Sequence, residues 1–131
     1  MTLHKVVLHL ARNPLFPAGS ERHGYEIVAP LRSDGRLDAA AWRTEREHCR
    51  VRRFWAGLPD RHGRLTRKPG GPGGAQWTVD YDPKAHADDE VGVRFDRHRF
   101  APDEYVTIAD HVGPHTFRVI SVEKVLDAIA A

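Results

Sequence analysis

The 131 residues carry 20 lysines and arginines against 18 aspartates and glutamates, with 40% hydrophobic side chains. That balance excludes a disordered chain and a broadly basic nucleic-acid surface, and no apolar run reaches the roughly 20 residues that cross a membrane as a helix. Met1-Thr-Leu-His-Lys5 lacks a signal-peptide pattern and Cys49 is the one cysteine, so the expectation is a single β-rich domain over 1–131, cytoplasmic, with no membrane partner.

Residues 3–11 alternate as a strand with one face well buried, Leu8 and Leu10 against Val7 and His9. Asn13-Pro14 and Pro17-Ala-Gly-Ser20 close it, and 14–23 reads as a loop. Gly24 to Leu31 is a second strand, with Tyr25, Ile27, Ala29 and Leu31 on one side and Pro30 marking a terminus or an edge. After the turn Ser33-Asp34-Gly35 comes the one convincing helix, 38–48. Asp38 is its N-cap, and Leu37 and Trp42 have the spacing of a hydrophobic staple. Trp42 and Cys49 share the inward face, which makes Cys49 a buried, inert thiol rather than a nucleophile.

Val51 to Ala56 reads as a strand with Val51 and Trp55 on one side and Phe54 on the other. Gly57 to Gly63 has turn chemistry, and Arg64 to Lys68 a short strand. The run Pro69 to Gly74 is a hairpin tip: its lysine precedes the glycines, so it lacks the order of a phosphate loop. Trp77, Val79 and Tyr81 alternate with polar residues from Gln76 to Asp82, and Pro83 stops that strand. Lys84 to Glu90 is a polar, acidic loop, and the segment Asp80 to Glu90 is a solvated acidic stretch, an irregular cation site at most. Val91, Val93 and Phe95 share a face. Glu104 to Glu123 then forms a hairpin about Gly113-Pro114, and residues 125–129 have helical spacing.

Seven or eight short strands separated by turn signals predict a mainly β fold, a small antiparallel barrel or sandwich with one inserted helix and a short C-terminal helix. The adjacent apolar pair Val119-Ile120 favours a closed barrel.

No serine, cysteine or carboxylate pair has the setting of a catalytic group, so no catalytic residue is nominated. Two constellations carry chemistry. Arg50, Arg52, Arg53 and Trp55 interleave cations with an aromatic ring, as a surface for single-stranded nucleic acid does. Asp96, His98, His111 and His115 would form a zinc or iron site if the hairpin turn folded back over 96–98, although no metal motif is present and no cofactor is predicted.

The blocks His23-Gly-Tyr-Glu-Ile-Val-Ala-Pro-Leu31, His48-Cys-Arg-Val-Arg-Arg-Phe-Trp55, Phe100 to Ile108 and His115 to Val122 together resemble a family of small bacterial proteins of unassigned activity. The resemblance implies a bacterial origin and one compact domain, and carries no functional residue over. The functional expectation is a non-catalytic β-barrel module that binds a protein partner or a small ligand. The alternatives are single-stranded nucleic-acid binding and a metal-assisted enzyme.

Overall fold

The computed structural model describes residues 3–69, 75–82 and 84–125. Eight strands follow in order: β1 (Leu3–Leu10), β2 (Ser20–Pro30), β3 (Arg50–Trp55), β4 (Leu58–Pro69), β5 (Ala75–Asp80), β6 (Glu90–Val93), β7 (Tyr105–Ala109) and β8 (Pro114–Lys124). Helix α1 (Ala39–Glu45) lies between β2 and β3 and runs into a 3-10 turn, Arg46–His48. Every strand pairs antiparallel with its chain neighbour, and β8 returns to β1, with Leu8 opposite Val119 and Leu10 opposite Phe117. The sheet is therefore a closed barrel, and Pro30 is a strand terminus rather than an edge residue.

Period-two burial builds the interior. Val6, Leu8 and Leu10, then Tyr25, Ile27 and Ala29, Trp77 and Val79, Val106 and Ile108, Phe117 and Val119 all point inward, and none is more than 4% exposed. An eight-stranded barrel is just wide enough for such side chains to fill. Each large aliphatic or aromatic side chain so buried stabilises the fold by about 1.5–3 kcal/mol.

A meander places its connections alternately at two ends. The long β2–β3 and β6–β7 connections fall at the same end and plug it. Asp38 caps α1 by accepting from the Ala41 amide at 3.0 Å. Leu37 and Trp42, the staple pair, are both buried. The Trp42 indole donates to the Leu65 carbonyl at 2.9 Å and meets Trp77 edge to face at 5.6 Å. Phe95 and Phe100 complete the plug, edge to face at 5.1 Å, and the Phe100 amide donates to the Gly35 carbonyl at 2.8 Å. Cys49 is fully buried beneath the helix, and burial, with Glu45 nearby, pushes its thiol up to about 12.

Three stretches differ from the sequence expectation. β4 begins at Leu58, so only Ala56 and Gly57 form the turn, with Gly57 at φ 84. Pairing of Arg53 with Arg61 and Trp55 with Leu58, through a bulge, overrides the turn character of Pro59 and Asp60. In β6 the parity is reversed: Glu90 and Gly92 are buried, whereas Val91 and Val93 are half-exposed. Phe95 still reaches the core because the strand stops at Val93 and Arg94 turns the chain with φ 53. A Cβ on Gly92 would stand 2.5 Å from the Phe95 ring, so a glycine is required there. β2 starts at Ser20, which shortens the preceding loop. The glycine run 70–74, Pro83 and most of the expected C-terminal helix, 126–129, lie outside the described residues.

Candidate ligand-binding site at the charged end

The opposite end of the barrel is held by charge. Val51, Arg53 and Trp55 share the inward face of β3, so Arg53 enters the barrel just where the apolar core ends, its side chain only 12% exposed. Its guanidinium stacks over the Trp55 ring, 4.4 Å from the centroid. Its Nε lies 3.5 Å from Glu90 Oε2 and one terminal nitrogen lies 3.4 Å from Asp110 Oδ2. The Nε contact is an ion pair without a hydrogen bond, and that buried atom has no hydrogen-bond partner among the described residues. Burial opposes the charge on Arg53, but the Glu90 carboxylate beside it favours the protonated form.

Glu90 opens β6 and is 2% exposed. Its Oε1 accepts from the Tyr25 hydroxyl at 2.7 Å and the Tyr81 hydroxyl at 2.6 Å. Burial, reinforced by the Glu90 charge, raises both phenols far above their ordinary range, so both remain neutral donors. Tyr81 reaches this point across Gly63, where a Cβ would stand 2.9 Å from its ring.

Asp110 follows β7. Burial alone would raise its carboxyl, but the Val112 and Gly113 amides donate to Oδ1 at 2.8 and 3.1 Å, and His115 and Arg53 add their attraction. Its pKa is lowered as a result. His115 Nε2 lies 3.2 Å from Asp110 Oδ2, and with a 26% exposed side chain it is the network's contact with solvent. His23 stands edge-on to Trp55 at 4.6 Å and lies 4.7 Å from the Phe16 ring. Burial first, then Arg53 and Arg22, holds the His23 imidazole below its usual pKa.

This constellation supplies donors, acceptors and a flat aromatic wall, but no activated nucleophile. Ser20 Oγ lies 2.6 Å from His23 Nδ1, a pair with the spacing of a nucleophile and base. No carboxylate among the described residues orients that imidazole, whose ring neighbours are Phe16 and Trp55. Cys49 is on the far side of the core.

The two sequence-derived constellations are not assembled as expected. Arg50 and Arg52 lie on the outer wall of β3, whereas Arg53 and Trp55 face inward, because neighbouring residues in a strand alternate sides. Asp96 and His98 follow β6 at the plugged end, while His111 and His115 sit at the β7–β8 turn, separated from them by the length of β7, about 16 Å. A different set does converge: ligand atoms of Asp80, His86 and Asp89 lie within 4.8 Å of one another. Lys68 already sits among them, with Nζ 2.6 Å from Asp89 and 3.9 Å from Asp80, and supplies the positive charge there.

The sequence reading missed Tyr25, Tyr81, Glu90 and Asp110 as a functional group. A signal for Asp110 was present, since Asp followed by His-Val-Gly is an Asx-turn pattern. Glu90 carried none, because an acid at the end of an acidic run reads as solvated. No family model, no curated protein and no solved structure matches the chain.

Proposed function

We propose that this barrel is a non-catalytic binding module that takes a small amphiphilic ligand at its charged end. One observation carries this reading: Arg53, Glu90, Asp110 and His115 converge at the end that no helix among the described residues covers. Burying charges costs several kcal/mol per ion even after pairing, and the plugged end shows that this fold can close with rings alone. Charged networks kept in such a position are associated with sites.

The ligand class follows from the surroundings. One guanidinium faces two carboxylates, so the headgroup that fits is rich in hydrogen-bond donors, seated against Asp110, His115 and the Trp55 ring. Around it stand Leu15, 84% exposed, on the β1–β2 connection, Leu58, 59%, opening β4, and Val112, 76%, on the β7–β8 turn. They are three of the four large exposed hydrophobics among the described residues and would cover the apolar part of the ligand. Among the described residues no helix is long and apolar enough to cross a membrane. The buried, unpaired thiol of Cys49 agrees with a cytoplasmic location.

The test is a compound screen read on the tryptophan indole signals in two-dimensional NMR. A ligand of this kind shifts Trp55 and leaves Trp42 and Trp77 in place, and Leu58→Ser weakens it without unfolding the protein. Hits that move only Trp42 and Trp77, or chemical conversion of a bound compound, would overturn the reading.

A further inference from the structure

The outer wall of the barrel carries a second charged feature, which shares with the charged end only Tyr81, whose hydroxyl reaches Glu90. Arg50 on β3 and Arg64 on β4 are register partners, directly opposite each other. Both are exposed, because their neighbours Val51 and Leu65 occupy the inward face. Like charges placed opposite each other in a ladder are destabilising; among the described residues neither arginine closes an ion pair, and the one opposed carboxylate is Asp80, across from Arg64 on β5. Lys5 continues the row. It pairs with Val28 on β2, and the β2–β3 register sets Val28 beside Arg50. Lys5 closes no ion pair among the described residues, though Glu123 on β8 is its register partner and its charge helps to lower the Glu26 carboxyl.

The nearby acids face other cations, although Asp80 Oδ1 is buried with no hydrogen-bond partner among the described residues. Glu26 and Asp60 take Arg52, at 2.9 and 2.7 Å. Asp80, opposite Arg64 in register, lies 3.9 Å from Lys68 and 3.8 Å from His86. Among the described residues Lys5, Arg50 and Arg64 are thus left without an ion pair along one wall. They line a groove of about 610 Å³ together with Arg52, the Glu26 and Asp80 carboxylates, the apolar surface of Val28 and Tyr81.

We propose that this groove binds a small phosphate monoester, its phosphate held between the Arg50 and Arg64 guanidiniums with Lys5 alongside, and its organic part lying against Val28 and Tyr81. Two planar guanidinium forks can each donate paired hydrogen bonds to the oxygens of a tetrahedral phosphate, which a single chloride does not offer.

The experiment titrates glycerol phosphate, with chloride at matched ionic strength as control, into the full chain at low salt and follows backbone amide signals. The expected result is saturable movement of Arg50 and Arg64 beyond the chloride control, with the Trp55 indole unmoved, so that this site is scored separately from the charged end. Arg50→Gln should weaken binding about tenfold or more, yet leave the ligand-free protein as stable as before or more so, because it removes the opposed pair. Arg64→Lys keeps the charge but loses the fork, and should weaken binding while preserving the fold. Movement no larger than with chloride, or binding unchanged in both variants, overturns the proposal. Affinity that climbs with oligothymidylate length and falls steeply with salt overturns it in favour of a single-stranded nucleic acid.

Discussion

At one end of the barrel Trp42, Phe95 and Phe100 close the interior with rings; at the other, Arg53, Glu90 and Asp110 hold it with charge. The rings come from α1 and the β6–β7 connection, the charges from β3, the start of β6 and the residue after β7, so one set of eight strands is closed in two ways. The rings gain free energy simply by leaving water. The ions gain little over what they lose in hydration, and they hold together only while every partner is present. An apolar plug thus serves stability directly, whereas the charged end is tolerated because the plug and the core carry the fold.

The sharpest way to break this contrast is to remove a ring. Trp42→Ala should cost about 3–5 kcal/mol in urea unfolding, through the cavity it leaves and the lost bond to the Leu65 carbonyl. If it costs no more than a surface change, the plug is not what holds that end. At the other end Arg53→Met should cost about 3 kcal/mol, since it strands Glu90 and Asp110. The double substitution Arg53→Met with Glu90→Gln should recover most of that loss, which distinguishes a cost of unpaired charge from a cost of lost packing. A double variant no better than the single would contradict the view that the ion pair contributes little net stability.

Smaller effects appear with pH. The Asp110 carboxyl is held below its ordinary 3.8 in the fold, so its deprotonated form contributes stability that is present above that value and lost as pH falls through the folded pKa. His23 is held below 6.5, so its neutral form contributes stability that is full above 6.5 and is lost as pH falls through the lowered pKa. Urea midpoints taken between about pH 3 and 7 should therefore fall in two windows. Asp110→Asn should flatten the acidic one and His23→Phe the nearer one, while Trp42→Ala leaves both slopes as they were. The smallest expected effect is at Cys49. With its thiol at about 12 and buried, it should resist a thiol reagent at about pH 8 in the native protein and react at once in urea.

Much of the fold could be read from local pattern. The Asp38 cap, the Leu37–Trp42 staple, the hairpin around Gly113-Pro114 and the inward sets on β1, β2 and β5 each depend on residues within a few positions of one another. The candidate site could not be read that way. Tyr25 and Glu90 are 65 positions apart, and Arg53 and Asp110 are 57; periodicity says which side of a strand a residue takes, but not which residue of another strand meets it. β6 shows the same limit at short range. Its valines suggest the inner face, but a shift of one residue puts Glu90 and Gly92 there instead, and only the contact between Gly92 and Phe95 explains the shift. Arg53 was recognised as one of several arginines on its strand, and nothing in the run 50–55 singles it out as the one that turns inward between two acids.

The ladder between β1 and β8 has a consequence for synthesis on the ribosome. β1 emerges early, yet its second partner is the last strand to be made, so the growing chain presents unpaired backbone along β1 until residues 114–124 appear. A stalled or truncated translation product would keep that exposed seam permanently, and such fragments should collect on chaperones or in inclusion bodies while the completed chain does not.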